Sequence, residues 1–187
     1  MASITSDIKL ASNALVLLGH EPIASFEEST AGATIANTLY ESSYLSLLTS
    51  HRWRFATKTQ LLSRLSAAPE GNFSYQFQLP SDLLYLIKTD SRSKYEIYGN
   101  TLRTNNSTVE IDYIYRVKES QLPAYYIKMV EFFLAMEFAL PLTGSLDKGS
   151  YYRMMFEAQL KRAKFADSSQ RPGDPMRGSD RYTRVRG

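Results

Sequence analysis

The chain contains no cysteine. A disulfide-stapled scaffold, a Cys-ligated zinc or iron–sulfur site and a thiol nucleophile are therefore excluded. Long apolar runs are also missing, so no stretch of the sequence reads as a membrane span and no membrane anchor is expected. The opening residues MASITSD lack a basic region followed by an apolar one, and no signal peptide is expected. Histidine is scarce, with only His20 and His51. They lack the i, i+4 spacing of a metal pair, and no carboxylate sits at ligand spacing nearby. His20 follows Gly19 at a helix end and His51 lies beside Trp53, so both read as structural. There is no G-x-S-x-G, no phosphate-cradling glycine loop and no G-x-G-x-x-G. Glu27 and Glu28 are adjacent and point apart in most backbones; charge at a helix N-terminus accounts for them. The Asn72 and Asn106 sequons carry no meaning without a secretory signal. No cofactor, metal or enzymatic activity is therefore expected.

What is present is a globular balance. The 187 residues are 43% hydrophobic and 22% charged, enough to bury a core as one domain. The net charge of +3 is unevenly placed. Residues 161–187 carry eight basic residues against three acidic ones, a net +5, which leaves the other 160 residues at −2. From Ser168 onward the sequence reads SSQRPGDPMRGSDRYTRVRG. Such a segment has too few large apolar residues to offset its ordering entropy alone. It is expected to be extended, over 168–187, and either to be disordered or to order against a partner. Arg171, Arg177, Arg181, Arg184 and Arg186 suit carboxylates or phosphates, with Tyr182 and Val185 as small anchors.

Periodicity divides the rest. Ile8, Ala11, Leu15 and Leu18 recur at helical spacing over 5–18, closed by Gly19 and Pro22. A second helix begins near Ser29 or Thr30 and ends near His51–Trp53. Period two takes over at Phe73, Tyr75, Phe77 and Leu79, then at Tyr95 and Ile97 before the Gly99–Asn100 turn, then over Val109–Val117. Residues 54–118 therefore predict a small antiparallel sheet. Helical period returns over about 123–140, ended by Pro141 to Gly144, and again over about 147–166 with Tyr152, Met155, Phe156, Leu160 and Ala163 inward. The expected fold class is α+β: mainly a bundle of about four helices (1–53 with 119–167) carrying a β-rich insert (54–118) and the extended tail.

Thirteen tyrosines are more than strand propensity and core filling suggest for this length. Tyrosine is favoured at interfaces because it is apolar with a polar tip. Tyr40, Tyr44, Tyr125, Tyr126, Tyr151 and Tyr152 are candidates for contacts between subunits.

Four stretches also form an ordered set: Leu17–Ile23 (LLGHEPI); Tyr40-Glu41 with Leu47-Leu48 and His51–Ala56 (HRWRFA); Tyr75–Asp82 (YQFQLPSD); and Ala135 through Ala139–Thr143 (ALPLT), closing on Ala163–Asp167 (AKFAD). Over residues 8–167 this set resembles the tail tubular protein A family, the head–tail adaptors of tailed bacteriophages. Arg52 departs from the pattern, where the family often has proline. The resemblance implies a structural protein that forms a homo-oligomeric ring, usually a dodecamer, beneath the portal. It implies a helical ring wall and a β-rich insert (Phe73, Tyr75, Phe77, Tyr95, Tyr98) facing the next tail component, whether tube, nozzle or stopper. It further implies a C-terminal segment docked on the portal protein and a bore that passes DNA without sequence-specific binding. The implied location is the head–tail junction of the virion, after assembly in the host bacterial cytoplasm. The alternative is a nucleic-acid-binding module using the basic tail.

Overall fold

A computed structural model describes residues 5–67, 69, 71–90 and 94–170. The first helix, α1 (Asp7–Leu17), is capped by the Ser6 hydroxyl, which accepts from the Lys9 N–H. It ends in a paired-carbonyl stop. The Gly19 N–H donates to the Val16 carbonyl and the His20 N–H to that of Leu15, with Gly19 at φ +84°. A side chain at Gly19 would be strained there. Helix α2 (Ala31–Thr49) is capped by Thr30, whose hydroxyl accepts from Ala33, and it stops short of His51.

Seven strands follow: β1 (Thr57–Leu61), β2 (Ser63–Arg64), β3 (Tyr75–Gln78), β4 (Leu83–Thr89), β5 (Tyr95–Tyr98), β6 (Thr101–Thr104) and β7 (Glu110–Tyr115). They form two antiparallel sheets where the sequence predicts one. β1-β7-β4 is three-stranded, and β2-β3-β6-β5 is four-stranded. Strand β7 separates two hydrophobic cores. Ile111 and Tyr113 point into a core shared with Phe77 and Leu102 of the four-stranded sheet and with Leu79 just past β3. Ile114, with Val117 just beyond, belongs instead to the helical core. The three-stranded sheet is thus the middle layer between helices and the outer sheet.

Helix α3 (Ala124–Thr143) packs against α1, α2 and α4 (Leu146–Ser169). Met129, Val130, Leu134, Phe138 and Ala139 of α3 are buried. The helix ends at Gly144, within the expected Pro141 to Gly144 stop, but runs three residues past 140 and through Pro141. The Pro141 ring fixes a φ that the last helical turn already uses, and the stop comes at Gly144, in the left-handed region at φ +64°. Leu140, in the last turn of α3, is exposed. Helix α4 runs to Ser169 with Gln170 as its C-cap, so Ser168 and Ser169 are helical rather than the start of an extended tail. Among the described residues the architecture is α+β, with four α-helices and two small antiparallel sheets. No helix among them is long and apolar enough to cross a membrane.

Candidate functional site

Two polar junctions hold the layers together, and each includes residues of the ordered stretches. At the first, the chain leaves α2 and turns into β1. Trp53 is fully buried, donates its indole N–H to the Leu47 carbonyl at 3.3 Å, and packs edge-on against His51 and Tyr126. The next residue, Arg54, donates its backbone N–H to both carboxylate oxygens of Asp167, each at 3.2 Å. Asp167 is 2% exposed and also accepts from the Tyr125 hydroxyl at 3.0 Å. The last turn of α4 therefore clamps the entry to β1. The adjoining cleft, about 530 Å³, is lined by His51, Arg52, Arg54 and Asp167. Burial and the positive charge of Lys164 push the His51 imidazole below its ordinary value, against the pull of Asp167. Arg52 reaches across to Asp112 on β7 at 2.9 Å. Asp112 also accepts from the Thr59 hydroxyl, and this bond, with Lys88 and Arg52 nearby, holds it below the usual carboxylate range.

At the second junction, Arg116 leaves β7 and meets α2. Its Nε and Nη2 donate to the two oxygens of Glu41, each at 2.8 Å. Nη2 also donates to Glu119 at 2.8 Å, and the guanidinium lies over the Tyr44 ring, 5.0 Å from its centroid. The Arg116 bond holds the Glu41 carboxyl low, and Arg116 itself is held firmly protonated.

These contacts settle where the six candidate interface tyrosines sit. Tyr40, Tyr44 and Tyr126 are buried within the chain and have no surface to offer a second copy, which corrects their reading as subunit contacts. Tyr40 donates to Glu119 and Tyr44 to the Val117 carbonyl. The Tyr126 hydroxyl has no hydrogen-bond partner among the described residues. Burial raises the pKa of all three. Tyr125 and Tyr152 are half-buried, their hydroxyls donating to Asp167 and to the Leu17 carbonyl. Only Tyr151 of the six is exposed.

The β candidates also divide. Phe77 is core, and Tyr75 lies against that core beneath the Arg64 guanidinium, so neither is a free contact surface. Phe73 is half-buried. Tyr95 and Tyr98 are exposed on β5, an edge strand with no buried residue. Ile97, which the tyrosine count passed over, completes the exposed strip; its alternation with Tyr95 made it visible in the sequence. Arg171, Arg177, Arg181, Tyr182, Arg184, Val185 and Arg186 lie outside the described residues.

Among the described residues no three His, Asp or Glu side chains are grouped to hold a metal ion. A cleft of about 700 Å³ lies between the two sheets and is lined by Gln60, Ser63, Gln78, Ser81 and Asn100 among others, with no titratable side chain. Its amides and hydroxyls can hydrogen-bond a polypeptide but cannot trade protons near neutral pH. Hydrogen bonds from Lys58 and Tyr113 outweigh burial and lower the Asp82 carboxyl, while burial and Asp82 push Tyr113 up to about 12. Both junctions are thus built to hold the backbone in place. The fold and these sites define an α+β protein with structural polar clamps and exposed apolar edges. Comparison with protein-family models and with curated proteins finds no match.

Proposed function

We propose that the chain is a structural head–tail adaptor of a tailed bacteriophage, one protomer of a dodecameric ring between portal and tail. In this reading the helices form a bundle that makes the ring wall, and DNA crosses the bore without sequence-specific contact. The edge strand β5, with Tyr95, Ile97 and Tyr98, faces the next tail component. The Arg-rich residues 171–187 dock on the portal. The ring sits at the head–tail junction of the virion after assembly in the bacterial cytoplasm. No catalysis is assigned to it.

One observation carries the reading. Two of the stretches that resemble the adaptor family meet each other at a structural joint, and two more are pinned to neighbouring elements. HRWRFA meets AKFAD through Arg54 and Asp167, and LLGHEPI meets α4 through the Leu17 and Leu18 carbonyls, which accept from Tyr152 and Lys148. Tyr40-Glu41 is bound to Glu119 and Arg116. A protein whose distinctive residues serve to brace layers suits a load-bearing role.

Electron imaging of the protein alone and mixed with portal protein tests this. Rings coaxial with the portal are the expected result. Salt-steep DNA binding by an isolated monomer that ignores the portal would support the nucleic-acid-binding alternative instead.

A further inference from the structure

Helix α4 has two apolar faces. Tyr152, Phe156, Leu160 and Ala163 pack inward against the helical core. Tyr151, Met154, Ala158 and Phe165 follow a second helical stripe on nearly the opposite side, and all four are exposed. Phe165, at 75%, is the most exposed large hydrophobic side chain among the described residues. This stripe is flanked by Lys161, Arg162 and Lys164, so the C-terminal half of α4 is both apolar and basic.

The opposite sign prevails in the N-terminal part of the chain. Between residues 5 and 50 the only basic side chain is Lys9, against Asp7, Glu21, Glu27, Glu28 and Glu41. Glu41 is engaged by Arg116, and Glu28 accepts the Ala24 and Ser25 N–H groups. Glu21 and Glu27 have no ion-pair partner among the described residues, and neither do Lys161 and Arg162. The 19–30 loop that carries these acids also borders a cleft of about 210 Å³ lined by His20, Glu21, Pro22 and Thr30. That loop follows the end of α1, where Lys148 and Tyr152 of the first turns of α4 attach. Lys161 and Arg162 lie about 20 Å further along the helix axis. Among the described residues no ion pair joins the two surfaces within one chain.

We infer that the outward stripe of α4 (Met154, Phe165, Lys161 and Arg162) docks on the acidic 19–30 loop of a second copy of this chain. The assignment rests on the adaptor reading for its ring and adds the two faces that close it. Charge complementarity between Lys161/Arg162 and Glu21/Glu27 sets the register, and Phe165 supplies apolar burial beside the cleft. The two surfaces differ, so the contact is head-to-tail and propagates until it closes.

Two double variants test it: Lys161→Glu with Arg162→Glu, and Glu21→Lys with Glu27→Lys. Self-association is followed by sedimentation over protein concentration and salt, and by imaging on portal complexes. Each variant alone is expected to associate about tenfold or more weakly than the parent chain. An equimolar mixture is expected to recover assembly, because each reversed face then meets a reversed partner. Unchanged association of either variant, or failure of the mixture to recover, overturns the assignment. So does loss of association on removal of residues 171–187 with the α4 reversal silent, which gives the acidic loop to the tail. Rings that still form coaxially with the portal from either variant alone overturn these faces and leave the adaptor reading standing. A chain that neither self-associates nor attaches to portal overturns both.

Discussion

The backbone N–H of Arg54 points between the two carboxylate oxygens of Asp167, 113 residues away, at 3.2 Å from each. This contact joins the start of the β region to the end of α4. Replacing Asp167 by Ala strands that N–H and the Tyr125 hydroxyl, at about 1–3 kcal/mol. Asp167→Asn keeps an acceptor and is expected to lose less. Urea midpoints of the two variants check the order; equal midpoints for the parent chain and Asp167→Ala would remove the clamp.

Arg116 is expected to be the most sensitive charged residue at the surface of the α2–β7 joint. Its fork serves Glu41 and Glu119 together, and its side chain is 32% exposed, so solvent screening takes part of the gain. Arg116→Ala should cost about 1–3 kcal/mol. Arg116→Lys should recover only part, because an ammonium cannot bond both Glu41 oxygens in one plane. A double-mutant cycle with Glu41→Gln measures the coupling, and additivity would contradict it.

Alkali should unfold the protein through its tyrosines. Burial raises the hydroxyl pKa of Tyr40, Tyr44 and Tyr126, and burial with the Asp167 bond raises that of Tyr125. In the unfolded chain these groups ionise near about pH 10. The unfolded state therefore loses protons first, and stability is complete below that pH and falls above it. Phenolate absorbance is expected to rise in step with loss of the near-ultraviolet circular dichroism signal. Normal titration of all thirteen tyrosines in a folded chain would refute this.

Removing residues 171–187 is expected to leave the described body folded, with an unchanged unfolding midpoint, and to abolish attachment to the portal. α4 closes on its own C-cap at Gln170, so the cut falls after the last helical turn. Co-sedimentation with portal protein reads the result, and attachment that survives the truncation would sink the docking role.

How far the sequence could be read depended on which contacts were local. The Thr30 cap and the Gly19 stop were legible because each is a short-range device. β4 was not. Leu83 and Leu86 pack on one core while Leu84 and Ile87 pack on the other, so the strand lacks the alternation that marks a half-buried one. β1 hid for the opposite reason, since four of its five residues are exposed. The division into two sheets depends on pairing between distant strands, which periodicity does not encode. The tyrosines misled because hydroxyls bonded to Glu119 and Val117 make core residues of Tyr40 and Tyr44. Asp167 stood within a quoted stretch, yet its partner Arg54 is far away in the chain, and only the fold brings them together. The outward stripe of α4 was readable, since Tyr151, Met154, Ala158 and Phe165 keep helical spacing beside the inward set.

Strand β7 puts Tyr113 in one hydrophobic core and its neighbour Ile114 in the other. A single peptide unit therefore couples the two. A pull on the outer sheet directed along β7 would load its ladders with β1 and β4 in shear before it reached the helices. Rows of parallel hydrogen bonds then share the strain, where peeling would break them one at a time. The middle sheet thus acts as a mechanical shear plate, tying the edge strand β5 to the helical layer.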